Sequence, residues 1–207
     1  MTDKRLIHII DDEDAIRRSA SFMLKTSGFA VQTWDSGLAF LKDVRHAATG
    51  CILLDVRMPD MDGLEVQKAL NDRGVLMPVI VLTGHGDIAI AVRAMKAGAV
   101  DFIEKPFEKT VLLNAIDAAF ARLGDVAGRA ERTNEAAILV SGITGRERDV
   151  LEGLARGLPN KTIAYDLGIS PRTVEVHRAN LMVKLNVRSL SEALRIAFAA
   201  GLGEDKA

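Results

Sequence analysis

The chain has 207 residues, of which 48% are hydrophobic and 27% are charged, and its formal net charge is −1. This composition is typical of folded globular domains and excludes intrinsically disordered and fibrous proteins. We expect a cytoplasmic protein with no membrane segment, because the sequence contains neither a signal-peptide pattern nor a long apolar run. The single cysteine, Cys51, lies inside an apolar segment, so we expect it to be buried rather than part of a disulfide or a metal site.

The first half alternates short apolar runs with segments of helical periodicity. We predict five strands, and they cover 6–10, 29–34, 51–55, 79–82 and 100–103. The predicted helices cover 14–26, 36–44, 63–70, 87–97 and a segment that starts near 108, with Asp14 as the N-cap of the first. Regular alternation over about 120 residues predicts an α/β fold with a doubly wound parallel sheet and right-handed crossovers.

Chemically active side chains stand at the carboxyl ends of four predicted strands. They are Asp11 and Asp12, Asp55, Thr83 and Lys105. Because the carboxyl ends of parallel strands share one edge of a sheet, we expect these groups to meet there. Carboxylates suit a hard cation such as Mg²⁺, and an aspartate beside a metal, an ammonium and a hydroxyl can accept a phosphoryl group. By itself, Asp55 is also compatible with a residue that only caps a turn.

The order of these residues matches a known family. Asp11-Asp12, Asp55 with Met58-Pro59-Asp60 and Asp62-Gly63, Thr83 and Lys105-Pro106 resemble the receiver domain of two-component response regulators. The resemblance implies a flavodoxin-like (βα)5 fold in which Asp55 accepts a phosphoryl group from a phosphohistidine of a sensor histidine kinase. It also implies Mg²⁺ as the cofactor, bound directly by Asp12 and Asp55. Asp11 would assist through water, and the backbone carbonyl of Arg57 would be a further ligand.

The same resemblance implies a switch. Lys105 would pair with the phosphoryl group, Thr83 would donate a hydrogen bond to it, and Phe102 would turn inward when Thr83 moves. The Lys105–Pro106 peptide bond is expected to be cis. An aromatic residue in a strand also suits the core, so a purely structural role for Phe102 stays open. Asp60 and Asp62 are expected to be turn residues.

Two other functions are compatible with part of this half. Gly84 to Ala89 follows a strand and precedes a helix, as a dinucleotide-binding loop does, and Glu104 lies about twenty residues further on. The receiver interpretation accounts for more residues, because it also explains Thr83. The other alternative is a phosphatase-type enzyme with Asp55 as nucleophile, which needs a general acid close behind it, where Arg57 stands. We therefore expect no conventional enzyme, only self-phosphorylation and slow autodephosphorylation.

The composition changes after residue 123. Residues 124–135 are small and polar, and they predict a linker at 124–140 between a receiver domain at 1–123 and a second domain at 141–207. The second domain shows no strand-like alternation and carries a small excess of basic residues. We therefore predict an all-helical unit of the kind that binds nucleic acid.

Four helices are predicted in this second domain. Thr144 and Glu147 form a capping-box pattern at the first, and Asn160 is expected to cap the second. Ser170-Pro171 starts the third, which extends to about residue 185, and a last helix follows near 190–197. Two helices joined by a glycine-containing turn, the second preceded by Ser-Pro, predict a helix-turn-helix.

Spacing assigns the faces of the third helix. Its predicted inward stripe consists of Val174, His177, Leu181 and Leu185. The N-terminal part of the helix would enter the major groove of DNA. The candidate DNA contacts are Lys161, Arg172, Thr173, Glu175, Val176, Arg178, Ala179 and Lys184. For Glu175, two roles are open: acceptance of a hydrogen bond from a cytosine amino group, and simple solvation.

Several short motifs of the second domain also match a family. Thr144-Gly-Arg-Glu147, Asn160-Lys-Thr-Ile-Ala164, Ile169-Ser170, Thr173-Val174-Glu-Val-His177 and Lys184-Leu185 resemble the LuxR-type helix-turn-helix domain, and the whole chain is similar to FixJ-type transcriptional regulators. The resemblance implies an activator that binds promoter DNA as a homodimer after phosphorylation and contacts RNA polymerase. At Glu175 and Ala179 several relatives present lysines, so their base preferences do not carry over to this chain.

Overall fold

The computed structural model describes residues 5–84, 88–123 and 129–203, except the side chains of 129–134. The described residues fall into two compact units. The first contains residues 5–84 and 97–123, and the second contains residues 88–96 and 129–203. Among the described helices, none is both long and apolar enough to cross a lipid bilayer.

The first unit contains the predicted parallel sheet. Its strands are β1 (Leu6–Ile10), β2 (Ala30–Trp34), β3 (Cys51–Asp55), β4 (Val79–Thr83) and β5 (Asp101–Glu104). All neighbouring strands pair in parallel, in the order β2-β1-β3-β4-β5. The helices of this unit are α1 (Asp14–Thr26), α2 (Gly37–Asp43), α3 (Gly63–Asp72) and α5 (Lys109–Leu123). The predicted doubly wound fold is therefore confirmed.

Strand β3 lies at the centre of this sheet, between β1 and β4. Its residues from Cys51 to Leu54 have no exposed surface, because both neighbouring strands and the covering helices exclude water. Helices α1 and α5 contribute Leu24, Leu112 and Ile116 to the same apolar core. Since β3 is rigidly enclosed, the carboxylate at its end, Asp55, has little freedom to move. Cys51 is buried, as predicted.

The ends of two helices refine the predictions for the first unit. The N-cap of α1 is Glu13 rather than the predicted Asp14, which lies in the first turn. There the Asp14 carboxylate pairs with Arg18 at 2.6 Å and can interact with the partial positive charge of the helix N-terminus. Asp62, which was expected to be a turn residue, is the N-cap of α3 and forms a capping box with Glu65.

The second unit is all-helical. Its helices are α4 (Ile88–Lys96), α6 (Arg129–Ser141), α7 (Gly145–Ala155), α8 (Asn160–Leu167), α9 (Pro171–Lys184) and α10 (Leu190–Ala199). Helix α6 lies mostly within the segment at 124–140 that was predicted as a linker. Its Ala136 and Val140 side chains are buried, and α6 packs against α10. Tertiary packing therefore stabilises a helix whose sequence carries only a weak apolar stripe.

Three predicted features of the helix-turn-helix region are confirmed, and one is wrong. Thr144 and Glu147 form a capping box on α7, Ser170 caps α9, and Pro171 occupies its first turn. The N-cap of α8 is Pro159 rather than Asn160. Asn160 instead accepts a hydrogen bond from Arg178 on α9, so its side chain is used for helix packing. On α9, the inward residues Val174, Leu181 and Leu185 are buried, and His177 is partly buried.

Candidate functional site

The predicted polar side chains meet at the carboxyl edge of the sheet. Asp11, Asp55 and Thr83 are buried polar residues, and Asp12 beside them is exposed. Carboxylate oxygens of Asp11, Asp12 and Asp55 all lie within 4.8 Å of one another. Like charges at this spacing repel one another unless a cation compensates them, so the cluster is organised for cation binding.

Lys105 provides part of that compensation. Its ammonium nitrogen lies 2.6 Å from Asp11 Oδ2 and 2.6 Å from Asp55 Oδ1. The backbone positions this lysine: the N–H of Lys105 donates to the carbonyl oxygen of Thr83 at 2.6 Å, directly after the β4–β5 pairing. The Lys105–Pro106 bond is cis, as expected. One ammonium between two buried carboxylates leaves a net negative charge.

The surroundings shift the ionisation of both partners. Burial raises the pKa of the Asp55 carboxyl, while the hydrogen bond and charge of Lys105 oppose that rise. Burial also acts to lower the pKa of the Lys105 ammonium. The hydrogen bonds to Asp11 and Asp55 outweigh burial, so the pKa of Lys105 lies above its ordinary value. Lys105 therefore stays protonated near neutral pH and holds Asp55 through a charge-assisted hydrogen bond.

Arg17, on the first turns of α1, was not singled out from the sequence. Its guanidinium donates to the backbone carbonyl oxygens of Asp11 at 2.7 Å and Asp12 at 2.8 Å. The backbone N–H of Glu13 donates to Asp11 Oδ1 at 2.9 Å. Together these bonds fix the acidic turn. The only sequence signal was a basic residue five or six positions after the acids, and basic residues are common on the exposed faces of helices.

A glycine brings α3 close behind the end of β3. The N–H of Gly63 donates to the carbonyl oxygen of Val56 at 2.9 Å. A Cβ atom on Gly63 would collide with the carbonyl oxygen of Asp55, so a larger residue would displace the strand end. The Asp55 carboxylate also accepts a hydrogen bond from the backbone N–H of Arg57. The turn at 56–63 thus holds the position of the carboxylate.

The two predicted switch residues lie on neighbouring strands. Thr83 is buried at the end of β4, and Phe102 is partly buried on β5, where it is paired with Val81. Of the dinucleotide-like segment, residues 85–87 lie outside the described part of the chain. The first unit therefore brings the acids, the ammonium and the hydroxyl to the carboxyl edge of its sheet, with Phe102 on the edge strand β5.

The candidate DNA contacts on α8 and α9 fall into two groups. Lys161, Arg172, Glu175, Val176 and Ala179 are exposed, and Thr173 is partly buried with its hydroxyl 2.8 Å from that of Ser170. Arg178 and Lys184 instead make contacts inside the unit. The Arg178 guanidinium donates to Asn160 Oδ1 at 2.9 Å, and Lys184 Nζ donates to Glu147 Oε2 at 2.8 Å.

Glu147 is a buried acid with several hydrogen-bond donors around it. It is 3% exposed, and its Oε2 also accepts from the backbone N–H of Thr144 at 2.7 Å. The hydrogen bond from Lys184, followed by that from the Thr144 backbone, lowers the pKa of Glu147 to about 2. The capping box of α7 is therefore joined to the C-terminal end of α9.

Comparison with known proteins assigns a family to each half of the chain. Residues 7–117 match the response regulator receiver domain, and residues 141–197 match the luxR family of bacterial regulatory proteins. The transcriptional regulatory protein FixJ of Azorhizobium caulinodans is 50% identical over 202 residues, which cover 98% of this chain and 96% of that protein. FixJ of Rhizobium meliloti is 49% identical over 203 residues, covering 98% and 99% respectively. The crystal structure of full-length FixJ from B. japonicum is 44% identical, has a TM-score of 0.59, and covers 97% of this chain and 98% of that one.

Proposed function

This chain belongs to the FixJ-like two-component response regulators, transcriptional regulators with a receiver domain and a LuxR-type DNA-binding domain, and we propose that Asp55 is the residue that controls it. We place the receiver domain at 1–123, the linker at 124–140 and the DNA-binding domain at 141–207, with helix α6 of the linker packed against α10 of the DNA-binding domain. The observation that supports Asp55 is the bridge that Lys105 makes between it and Asp11.

The contacts of Asp55 suit a nucleophile. Lys105 and the Arg57 N–H hold the carboxylate in place, and its burial keeps competing water away. In the proposed reaction, an Asp55 carboxylate oxygen attacks the phosphorus of a phosphohistidine on the sensor kinase. The new O–P bond forms as the N–P bond breaks, and the leaving imidazole takes up a proton. Lys105 then pairs with the phosphoryl oxygens, and the hydroxyl of Thr83 donates to them.

The acidic cluster fits a magnesium ion. Its donors are the carboxylate oxygens of Asp11, Asp12 and Asp55, which are hard ligands, and Lys105 leaves part of their charge uncompensated. We propose that Asp12 and Asp55 bind the ion directly, with Asp11 acting through water and the backbone carbonyl of Arg57 as a further ligand. When bound, Mg²⁺ would neutralise charge on the oxygens of the transferred group.

Phosphorylation would act on DNA binding by shifting an equilibrium between two receiver conformations. We propose that Thr83 moves toward the phosphoryl group and that Phe102 turns inward into the space it leaves. The altered receiver surface would promote a homodimer whose two DNA-binding domains meet two half-sites of a promoter. Contact with RNA polymerase would then activate transcription. We place these events in the cytoplasm, because the proposed kinase donor and the chromosome are accessible there.

Acetyl phosphate with Mg²⁺ provides a direct test on the full chain. The wild type should acquire one acid-labile phosphoryl group, elute as a dimer from gel filtration, and bind DNA more tightly than the untreated protein. Asp55→Asn should lose the label, the dimer and the gain in DNA affinity, while it keeps the basal affinity.

Asp60→Asn is the matched control, because Asp60 lies in a turn with a φ of 67°, a conformation that asparagine also adopts. This variant should be labelled like the wild type. Undiminished labelling of Asp55→Asn would contradict Asp55 as the acceptor. Steady turnover of small phosphate esters would contradict a receiver and favour a phosphatase.

A further inference from the structure

Helix α9 carries three Lys or Arg side chains, and two of them are held by the DNA-binding unit itself. Arg178 donates to Asn160 on α8, and Lys184 donates to Glu147 on α7. The third, Arg172, has a side chain that is 87% exposed and lies 3.6 Å from the carboxylate of Glu175. Among the three Lys and Arg side chains of the described helix α9, Arg172 is therefore the one that no other helix holds by a hydrogen bond, and it lies beside an acid.

Besides Arg172 and Glu175, this face carries the exposed amide of Asn180 and an apolar stripe. Val176 is 50% exposed, and Ala179 and Val183 are also exposed. These three residues follow one another at intervals of three and four, so they form one stripe along the helix. The stripe lies apart from the inward residues of α9, which are buried. A half-exposed valine on a DNA-binding helix is a contact surface rather than part of the core.

The major groove presents few groups that such a face can recognise. Thymine exposes a methyl group, which packs against apolar side chains. Cytosine exposes an amino group, which donates to a carboxylate. Guanine exposes only acceptors there, so a carboxylate placed against it would be repelled and would lose its hydration without gaining a donor. The carboxylate of Glu175 and the apolar stripe therefore favour cytosine and thymine and disfavour guanine.

Resting on the proposed DNA-binding function, we propose that α9 reads sequence through Glu175, Val176 and Ala179. The carboxylate of Glu175 accepts from a cytosine amino group, and the side chains of Val176 and Ala179 pack against thymine methyl groups. Arg178 and Lys184 position the helix. Glu175 also contributes to specificity by disfavouring other bases, because they leave its carboxylate without a hydrogen-bond donor.

The first test is selection of duplexes from a random 20-base-pair library by the full chain, with acetyl phosphate and Mg²⁺. Wild type should enrich a motif with a fixed cytosine next to thymines. Glu175→Gln should change that cytosine to adenine, because an amide can bond to both the amino group and the ring nitrogen of adenine. The preference for cytosine should fall roughly tenfold. Glu135→Gln, an exposed glutamate on α6, is the matched control and should leave the motif unchanged.

The second test removes the methyl groups from the DNA. Replacing each selected thymine by deoxyuridine should weaken wild-type binding about fourfold per contacted methyl group. Val176→Ala should lose most of this sensitivity, while Leu76→Ala, which removes a 90% exposed leucine from the first unit, should keep it. A motif that is unchanged in Glu175→Gln, or binding that is insensitive to deoxyuridine, would overturn the inference and leave the proposed function intact. Failure of the wild type to enrich any duplex would overturn both.

Discussion

Replacing Lys184 by methionine should destabilise the DNA-binding unit without removing a phosphate contact. In the native structure Lys184 Nζ lies 2.8 Å from Glu147 Oε2, an atom that also accepts the N–H of Thr144. Methionine keeps the length of the side chain but cannot donate a hydrogen bond. The variant therefore leaves a buried carboxylate without its charged partner.

The expected loss of unfolding free energy in Lys184→Met depends on how far solvent screens the Lys184–Glu147 pair. Loss of a hydrogen bond to a charged group costs roughly 1.5–3 kcal/mol of unfolding free energy. The Lys184 side chain is 41% exposed, so solvent screens the pair, and we expect about 1–2 kcal/mol. Urea denaturation followed by far-UV circular dichroism should show this loss. Emission of Trp34, the single tryptophan, reports only the first unit and should not shift.

The stability lost in Lys184→Met should become smaller at low pH. Contacts in the folded state lower the pKa of Glu147 from 4.5 to about 2, so the pair contributes stability that is fully present above pH 4.5. That contribution disappears as the pH falls from 4.5 toward 2. The stability difference between wild type and Lys184→Met should therefore shrink across this range.

The salt dependence of DNA affinity distinguishes a lysine that positions the helix from a lysine that contacts phosphate. Each phosphate contact contributes about 0.9 to the slope of log affinity against log salt concentration. On a mixed-sequence duplex of about 30 base pairs, Lys184→Met should keep the wild-type slope, whereas Lys161→Met should lower it by about one. Lys184→Arg should retain both stability and slope. A lower slope with unchanged stability in Lys184→Met would refute this reasoning.

Three further predictions concern the receiver. Lys105→Met should bind Mg²⁺ several-fold more tightly, because it removes a competing cation from two carboxylates, and yet be labelled more slowly by acetyl phosphate; weaker Mg²⁺ binding in a fluorescence titration would contradict this. His8 is a buried residue of β1 whose ring Nε2 lies 2.9 Å from the carbonyl oxygen of Ala48. Burial lowers the pKa of His8, so the stability that its neutral ring contributes should be present above the ordinary pKa near 6.5 and lost as the pH falls below it. Urea denaturation at several pH values should show that the unfolding free energy of His8→Gln depends less on pH than that of the wild type. Equal pH dependence would contradict a lowered pKa of His8. Gly63→Ala should cost about 1–3 kcal/mol in urea denaturation, because its Cβ would meet the carbonyl oxygen of Asp55. Gly145→Ala, whose Cβ would lie in open space, should cost nothing, and equal costs would contradict the collision.

The features that were predictable from sequence depend on short-range patterns and one topological rule. Apolar runs of strand length identified β3 and β4, and the rule that parallel strands share an edge brought Asp55 and Thr83 together. The capping box at Thr144 was predictable for the same reason, since its partner lies three residues away. Each of these inferences needs only local sequence and the order of the elements.

The features that were not predictable depend on partners distant in sequence. The sequence around Arg17 is that of an ordinary exposed helix residue, but its guanidinium donates to the backbone carbonyl oxygens of Asp11 and Asp12. Helix α6 is stabilised by packing against α10, and the short apolar run in its C-terminal half does not identify α10 as the partner. Lys184 carries the same charge whether it meets phosphate or Glu147, so its hydrogen bond to Glu147 could not be predicted from sequence.

Charge balance distinguishes the two lysine–carboxylate clusters of this protein. In the DNA-binding unit one ammonium meets one buried carboxylate, which also has a backbone donor, so the charges of the pair cancel. In the receiver one ammonium meets two buried carboxylates, with the exposed Asp12 beside them, so the cluster keeps negative charge. The balanced cluster can only stabilise the packing of helices. The uncompensated negative charge of the receiver cluster favours binding of a further cation. A cation bound there would free Lys105 to pair with another anion, such as a phosphoryl group. The same pair of residue types therefore suits helix packing in one place and the proposed phosphoryl transfer in the other.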